Sequence, residues 1–217
     1  MVNAHHAVLR LIRSDNIGPA TFHKLLQRFG TAEQALEELP ELSKKYKTKT
    51  YRPPSVEKVK QEIAELSEIG GRFVSIFDHE YPRLLKETAD PPPMLAARGR
   101  VELLDRPSVA IVGARNASLN ARNLARQIAQ DLSQNETVVT SGLAKGIDTA
   151  AHTGGVKNGT IAVVAGGANV IYPRENARLH SEICERGLLL AEDPLNISQT
   201  PKLSQEETGS SQDFHWA

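Results

Sequence analysis

Thr140-Ser-Gly-Leu-Ala-Lys-Gly-Ile-Asp148 is the stretch on which the fold turns. Before it, Thr137-Val-Val-Thr140 is β-branched and reads as a buried strand. After it, Ile147–Val156 has helical spacing, so the segment reads as strand, glycine loop, helix. The same order occurs on both sides. Ser108-Val-Ala-Ile-Val112 runs into Gly113-Ala-Arg115 and the helical pattern Leu119–Leu132. Thr160-Ile-Ala-Val-Val164 runs into Gly166-Gly167 and the helical pattern Glu175–Arg186, with Leu188–Ala191 closing the series. Phe73–Phe77 is one more candidate strand. Apolar strands alternating with helices predict an α/β fold over residues 71–191, with a doubly wound, mainly parallel sheet. Ligands of such sheets bind beyond the carboxyl ends of the strands. The loops after Val112, Thr140 and Val164 are therefore the places to look for function.

Those loops carry anion chemistry. Gly113 allows a tight turn into a helix N-terminus, whose amides point outward, and Arg115 adds a bidentate phosphate donor. Gly142 and Gly146 flank Lys145, with the Ser141 hydroxyl beside them, an arrangement that can cradle a phosphate. In the third loop Arg174 adds another cation and Asn176 falls in the first turn of the following helix; a plain turn fits there equally well. Plain βα turns with Arg115 and Lys145 in solvent are the alternative for the other two. Neither a dinucleotide fingerprint nor a P-loop is present, because G-x-G-x-x-G and the G-K-[ST] ending are both missing. Asp148 and His152 stand at i, i+4, the spacing of a general-base pair and equally of a buried, hydrogen-bonded histidine. With no nucleophile beside them, the chain is expected not to be an enzyme.

Residues 1–70 read as a small helical domain. Ala7, Val8, Leu11 and Ile12 share a face, as do Phe22, Leu25, Leu26 and Phe29, with Gly30 as a C-cap. Thr31-Ala-Glu-Gln34 resembles a capping box that opens a helix through Leu39, and Val56–Ile69 is again amphipathic. Ile17-Gly-Pro19 reads either as a hairpin whose amides face a DNA phosphate, flanked by Lys24 and Arg28, or as a packing turn. Lys44, Lys45, Lys47, Lys49 and Arg52 form a basic run, the composition of a solvated loop or of a strip that follows a nucleic-acid backbone.

The 217 residues hold 26 Lys+Arg and 26 Asp+Glu, so the net charge is zero. That neutrality is a cancellation. Residues 1–60 carry 11 basic against 6 acidic side chains, whereas residues 192–217 carry one lysine against five acids. A polyanion responds to the local field, because screening cuts charges off beyond ~10 Å. Zero net charge thus leaves nucleic acid open as a partner. No apolar run nears the ~20 residues of a membrane span, and the N-terminus lacks a signal-peptide centre. The lone Cys184 has no disulfide partner in the chain, and no zinc-like ligand spacing occurs. A cytoplasmic protein without cofactor, metal or membrane contact is expected. Residues 192–217 are rich in Ser, Gln, Glu and Thr and read as disordered.

Taken as a set, Tyr81-Pro-Arg-Leu-Leu85, Asp90-Pro-Pro-Pro-Met-Leu95 with Gly99, Ala110-Ile-Val-Gly-Ala-Arg115, Ser141–Asp148 with Ala151-His152, and Tyr172-Pro173 with Glu175-Asn176 resemble the DNA-processing protein A (DprA/Smf) family. The likeness covers about residues 72–191, and the head is similar to the sterile-alpha-motif-like domain of many members. The resemblance implies an extended Rossmann-like domain that binds single-stranded DNA and helps load a RecA-type recombinase in natural transformation, as a homodimer. It places Gly113 and Arg115 on the family's G-S/T-R motif, with Ala114 in place of the usual hydroxyl residue. It likewise makes Ser141, Gly142, Lys145 and Gly146 nucleic-acid contacts, with Arg174, Asn176 and Lys24 beside them. Members continue with L-S-E-x-P and then F-P-x-R-N-R. Here Glu192-Asp-Pro194 keeps a trace of the first, and residues 195–217 look unrelated. An altered or truncated end is therefore expected, with an exposed apolar sheet edge and weakened DNA binding and dimerisation. The competing readings are a nucleoside-monophosphate hydrolase of the lysine-decarboxylase-like group, whose P-G-G-x-G-T-x-x-E motif Gly166-Gly167 does not complete, and a nonfunctional remnant.

Overall fold

Four helices open the chain: α1 (Val2–Ile12), α2 (Pro19–Phe29), α3 (Ala32–Lys45) and α4 (Val56–Glu68). This computed structural model describes residues 2–45 and 51–198. The local signals behave as their chemistry requires. Gly30 sits at φ 88° after α2, its N–H donating to Leu26 O at 2.8 Å. Thr31 Oγ1 accepts from Gln34 N at 3.2 Å, capping α3. That helix was expected to stop at Leu39, but it runs on to Lys45 with Pro40 inside it. A proline there removes one hydrogen bond, while Leu39 and Leu42 on either side of it are buried and hold the helix to the core. In the basic run, Lys44 pairs with Glu41 at 2.6 Å. Lys47, Lys49 and the side chain of Lys45 lie outside the described residues.

Beyond α4 the chain forms a six-stranded sheet: β1 (Gly71–Ser75), β2 (Met94–Gly99), β3 (Ser108–Ala110), β4 (Val138–Ser141), β5 (Thr160–Val164) and β6 (Leu188–Ala191). The order is β1-β2-β6-β5-β4-β3. The last four strands are mutually parallel, while β2 runs antiparallel between β1 and β6. The helices α6 (Leu119–Gln134), α7 (Ile147–Gly155) and α8 (Ala177–Arg186) connect the parallel strands. The parallel strands add in one direction only; a strand order that winds back, as in a complete doubly wound sheet, is not found among the described residues. Sequence periodicity missed β2, because Met94-Leu-Ala-Ala97 is buried on both sides and follows three prolines.

Side-chain alternation divides the core. On one face Phe73, Met94, Ala96, Ala162, Val164, Leu189 and Ala191 join Leu9, Leu11, Phe22 and Leu39 of the head in a single apolar cluster. On the other, Val74, Leu95, Val138, Ile161, Leu188 and Leu190 pack with Leu85 of α5 (Arg83–Lys86) and with Leu103 of the 3-10 turn Val101–Asp105. Polar ties reinforce the head. Arg13 pairs with Glu62 at 3.0 Å and donates to Glu192 O at 3.1 Å, and His5 meets Asp78 at 2.8 Å. Tyr81 OH donates to Pro92 O at 2.7 Å, which explains physically why the Tyr81 and Asp90-Pro-Pro-Pro93 stretches occur together.

One expectation about the chain end changes. Residues 192–198 are not the start of a disordered tail. Leu195 is buried, Gly167 N donates to Ile197 O at 3.0 Å, and Asn169 and Asn196 exchange hydrogen bonds of 2.7 and 2.8 Å. An apolar anchor and two asparagines suffice to fold this polar segment back onto the loop after β5. Residues 199–217 lie outside the described residues. Elsewhere, the β3 edge of the sheet is open: all three of its residues are exposed, and Val109, Val112, Leu119, Leu124 and Ile128 leave an uncovered apolar strip there.

Because head and sheet share one cluster, they are expected to unfold together. Leu9→Ala should cost about 2–5 kcal/mol. Amide exchange should then show α1 and β6 losing protection in parallel. Loss confined to α1 would mean that the head is an independent unit.

Candidate nucleic-acid interface

The loops after β3 and β4 are built against each other. Gly146 lies at φ 86°, and a Cβ there would come within 2.3 Å of Ala114 O and 2.5 Å of Arg115 O. Only glycine meets both demands, the left-handed backbone and the close approach. From the other side, a Cβ on Gly113 would meet Ile147 at 2.7 Å. Ser141 Oγ donates to Ile111 O at 2.6 Å and so ties the two strand ends. The two loops are therefore one interlocked unit.

Buried polar groups hold the β4–α7 loop in shape. Asp148 Oδ2 accepts from Ala144 N at 3.3 Å, in space that a Cβ on Gly142 would restrict to 2.9 Å. Asn176 Nδ2 donates to Leu143 O and to Thr149 Oγ1, both at 2.9 Å, and Thr149 in turn donates to Ala144 O at 2.7 Å. Of the expected contact residues, then, Ser141 and Asn176 are buried and committed to the loops, at 3 % and 7 % exposure. Gly113 and Gly142 likewise serve close packing. These four shape the site: the Ser141 and Asn176 side chains are spent on loop carbonyls, Asn176 also borders the pocket beside α7, and Gly113 leaves its backbone exposed.

What the unit presents outward is positive. Arg115 is exposed and its side chain has no partner among the described residues. Lys145 is 54 % exposed and pairs with Glu175 at 2.6 Å. That hydrogen bond from the Lys145 ammonium holds the Glu175 carboxyl below the usual carboxylate range. Solvent screens an exposed pair of this kind so that it contributes little, and an arriving phosphate can displace the carboxylate. Arg174, exposed at the start of the 3-10 turn before α8, is likewise without a partner among the described residues. Lys24 is exposed but stands apart. His23, its neighbour in α2, bonds to Pro91 O at 2.8 Å, beside the start of β2 and three strands from β4. At ~4.8 Å per strand step this is about 14 Å of sheet.

Two features were not read from the sequence. Arg122 and Arg126, one turn apart on α6, line a pocket together with Lys145, Gly146, Thr149 and Thr153. Their i, i+4 spacing was legible; that α6 packs against α7 with this face forward was not. The third loop also behaves differently from expectation. A Cβ on Gly167 would meet Pro194 O at 2.6 Å, because residues 194–197 cover Gly166-Gly167. That loop is no open phosphate cradle, and the nucleoside-monophosphate hydrolase reading loses its site.

Asp148 and His152 do not pair. His152 is fully buried, with Nδ1 2.9 Å from Thr160 Oγ1. The Thr160 hydroxyl donates to Val139 O, so it accepts from a protonated Nδ1. Nε2 then carries a bare lone pair near the Ser141 backbone, with no partner at hydrogen-bond geometry. Burial pushes the His152 pKa down to about 4, which keeps the ring neutral at physiological pH. Among the described residues no group of three metal-ligating side chains occurs, and no helix is long and apolar enough to cross a membrane.

The fold and these loops define a class: an α/β protein with a cationic edge beyond its parallel strands and an all-helical head. Within that class, the family model for DNA recombination-mediator protein A matches residues 72–205, and the model for the DprA-like N-terminal HHH domain matches residues 3–64. The chain belongs to this DprA/Smf family. The match runs into the segment after residue 195 that had looked unrelated. The DNA processing protein DprA of Streptococcus pneumoniae is 45 % identical over 120 residues, 54 % of this chain and 42 % of that protein. The Bacillus subtilis DprA is 35 % identical over 140 residues, 63 % of this chain and 47 % of its own length. This chain thus spans less than half the length of these relatives. The X-ray structure of DprA from S. pneumoniae superposes with a TM-score of 0.58 at 33 % identity, covering 85 % of this chain and 71 % of that one. DNA processing protein A from Helicobacter pylori, solved for its single-stranded DNA binding mode, gives 0.55 at 28 % identity over 59 % of each chain.

Gly146→Ala should separate the loops and lower the melting temperature. Asn176→Ala leaves Leu143 O short of a donor and should cost about 1–3 kcal/mol, with faster amide exchange confined to residues 142–146. The pH dependence also has a definite sign. The folded-state pKa of His152 lies below the unfolded value of ~6.5. Its contribution is therefore complete above ~6.5 and is lost as the pH falls towards 4, at up to ~1.4 kcal/mol per unit. His180, lowered by burial and then by Arg98, acts in the same direction. Melting curves across this range should show the fall, and His152→Gln should flatten it.

Proposed function

We propose that this chain binds single-stranded DNA without sequence preference, gripping its backbone phosphates at the interlocked loops after β3 and β4. The observation that carries this reading is the pairing of exposed Arg115 and Lys145 on one rigid unit fixed by Gly146. Phosphate contacts supply affinity without reading bases, and aromatic stacking adds little here, Tyr172 being the one half-buried ring nearby. The reading is one of binding rather than catalysis: His152, which packs behind the loops, is fully buried, and burial keeps its ring neutral.

From its family the chain takes the further role of helping to load a RecA-type recombinase on incoming DNA in the cytoplasm during natural transformation. The uncovered apolar strip at the β3 edge supports a homodimeric working form. The H. pylori relative, whose structure was solved for its single-stranded DNA binding mode, supports the choice of ligand.

Fluorescence anisotropy with a labelled oligothymidine tests the assignment. For single strands, log K falls against log salt with a slope of about −0.7 per phosphate contact. Arg115→Gln should weaken binding and reduce the slope by ~0.7. An unchanged slope in both Arg115→Gln and Lys145→Gln would remove these loops from the DNA path.

A further inference from the structure

Beside the loop pair lies a pocket of about 230 Å³ between α6 and α7, lined by Arg122, Arg126, Lys145, Gly146, Thr149 and Thr153. Its existence depends on how closely the two helices meet. A Cβ on Gly154 of α7 would come within 2.3 Å of Arg126 O and 2.9 Å of Ala129 Cβ, so the helices touch at that glycine. Below the contact, the i, i+4 pair Arg122 and Arg126 of α6 faces the i, i+4 pair Thr149 and Thr153 of α7.

The lining selects a class of ligand. Three cationic side chains enter it and no carboxylate does. Arg122 and Arg126 have no side-chain partner among the described residues, and Lys145 is held only by the exposed Glu175. Two guanidinium forks and the Lys145 ammonium match the oxygens of a phosphate group, while the Thr149 and Thr153 hydroxyls already donate to Ala144 O and Thr149 O. The volume lies below the ~300 Å³ at which small-molecule sites begin, yet far above the ~15 Å³ that one water requires. It is large enough to admit a phosphate group. No aromatic side chain lines it on which a base could stack.

We infer that this pocket is a second phosphate site, which takes a backbone phosphodiester of the strand as it leaves the Arg115–Lys145 loops. Arg122 and Arg126 are the residues that make the contact, and Lys145 is shared between the two sites. The inference rests on the DNA-binding reading above and extends the footprint from the sheet edge onto the α6–α7 face.

The test uses the whole chain and an abasic deoxyribose-phosphate oligomer alongside an oligothymidine of about 16 nucleotides, the upper end of known site sizes. Affinities are measured between about 50 and 200 mM salt. In the double variant Arg122→Gln, Arg126→Gln the salt slope should fall by about 0.7 for each arginine replaced, equally for both oligomers. Both positions are exposed, so the melting temperature should be unchanged, which separates lost contact from lost fold. If the double variant keeps the parental slope while Arg115→Gln reduces it, the loops bind DNA and the pocket does not, and the inference is overturned. If it loses oligothymidine but still binds the abasic oligomer as the parent does, the arginines touch bases and the phosphate assignment fails. If inorganic phosphate occupies the pocket in the parent but the double variant binds DNA normally, the pocket serves a free anion. A parent chain that binds neither oligomer would refute the DNA-binding reading itself.

Discussion

The backbone of Ala114 and Arg115 rests directly on Gly146, and this single approach determines where the charges of the site can stand. A residue with a side chain at 146 would have to displace two carbonyl oxygens and adopt a backbone that L-residues avoid. With glycine there, the end of β3 and the start of α7 become one surface. Ser141, Asp148, Thr149 and Asn176 then neutralise every polar strain the close packing creates, from within. The side chains left over, Arg115 and Lys145, are the ones that face outward.

This division of labour explains an apparent mismatch between charge and partner. The chain as a whole is neutral, but the residues that surround the interlocked loops are not. Lys145 is balanced by Glu175 across a weak, exposed contact, while Arg115, Arg122, Arg126 and Arg174 are balanced by nothing described nearby. Within a Debye length of ~10 Å these cations, and not the net charge of the chain, set the field at the loops. Electrostatic attraction without base contacts has strong salt dependence and little sequence preference as its signature. The head adds stability through a shared core, and its own exposed Lys24 lies towards the other end of the same edge.

Much of this was legible in the sequence, for identifiable reasons. Short continuous apolar runs marked β4, β5 and β6, period-3.6 patterns marked the three crossover helices, and strand–glycine–helix junctions marked the loops. What failed was information that only tertiary contact carries. β2 is buried on both faces, so its run Met94–Ala97 has no alternation to detect. Ser141 and Asn176 have the chemistry of ligand donors, and only the fold reveals that their partners are Ile111 O and Leu143 O. Arg122 and Arg126 look like ordinary solvated helix residues until α7 is placed against them through Gly154. The segment around Asn196 has a disordered composition, yet Leu195 and the Asn169 pair anchor it.

Where a single strand touches the chain is the decisive question, and amide chemical-shift mapping during titration with oligothymidine reads that directly. Shifts concentrated in residues 113–115 and 142–146, extending to Arg122, Arg126 and Thr149, with β1, β2 and α4 unmoved, are the predicted result. Shifts confined to α2 around Lys24, or none at any loop of the β3–β4 pair, would contradict it.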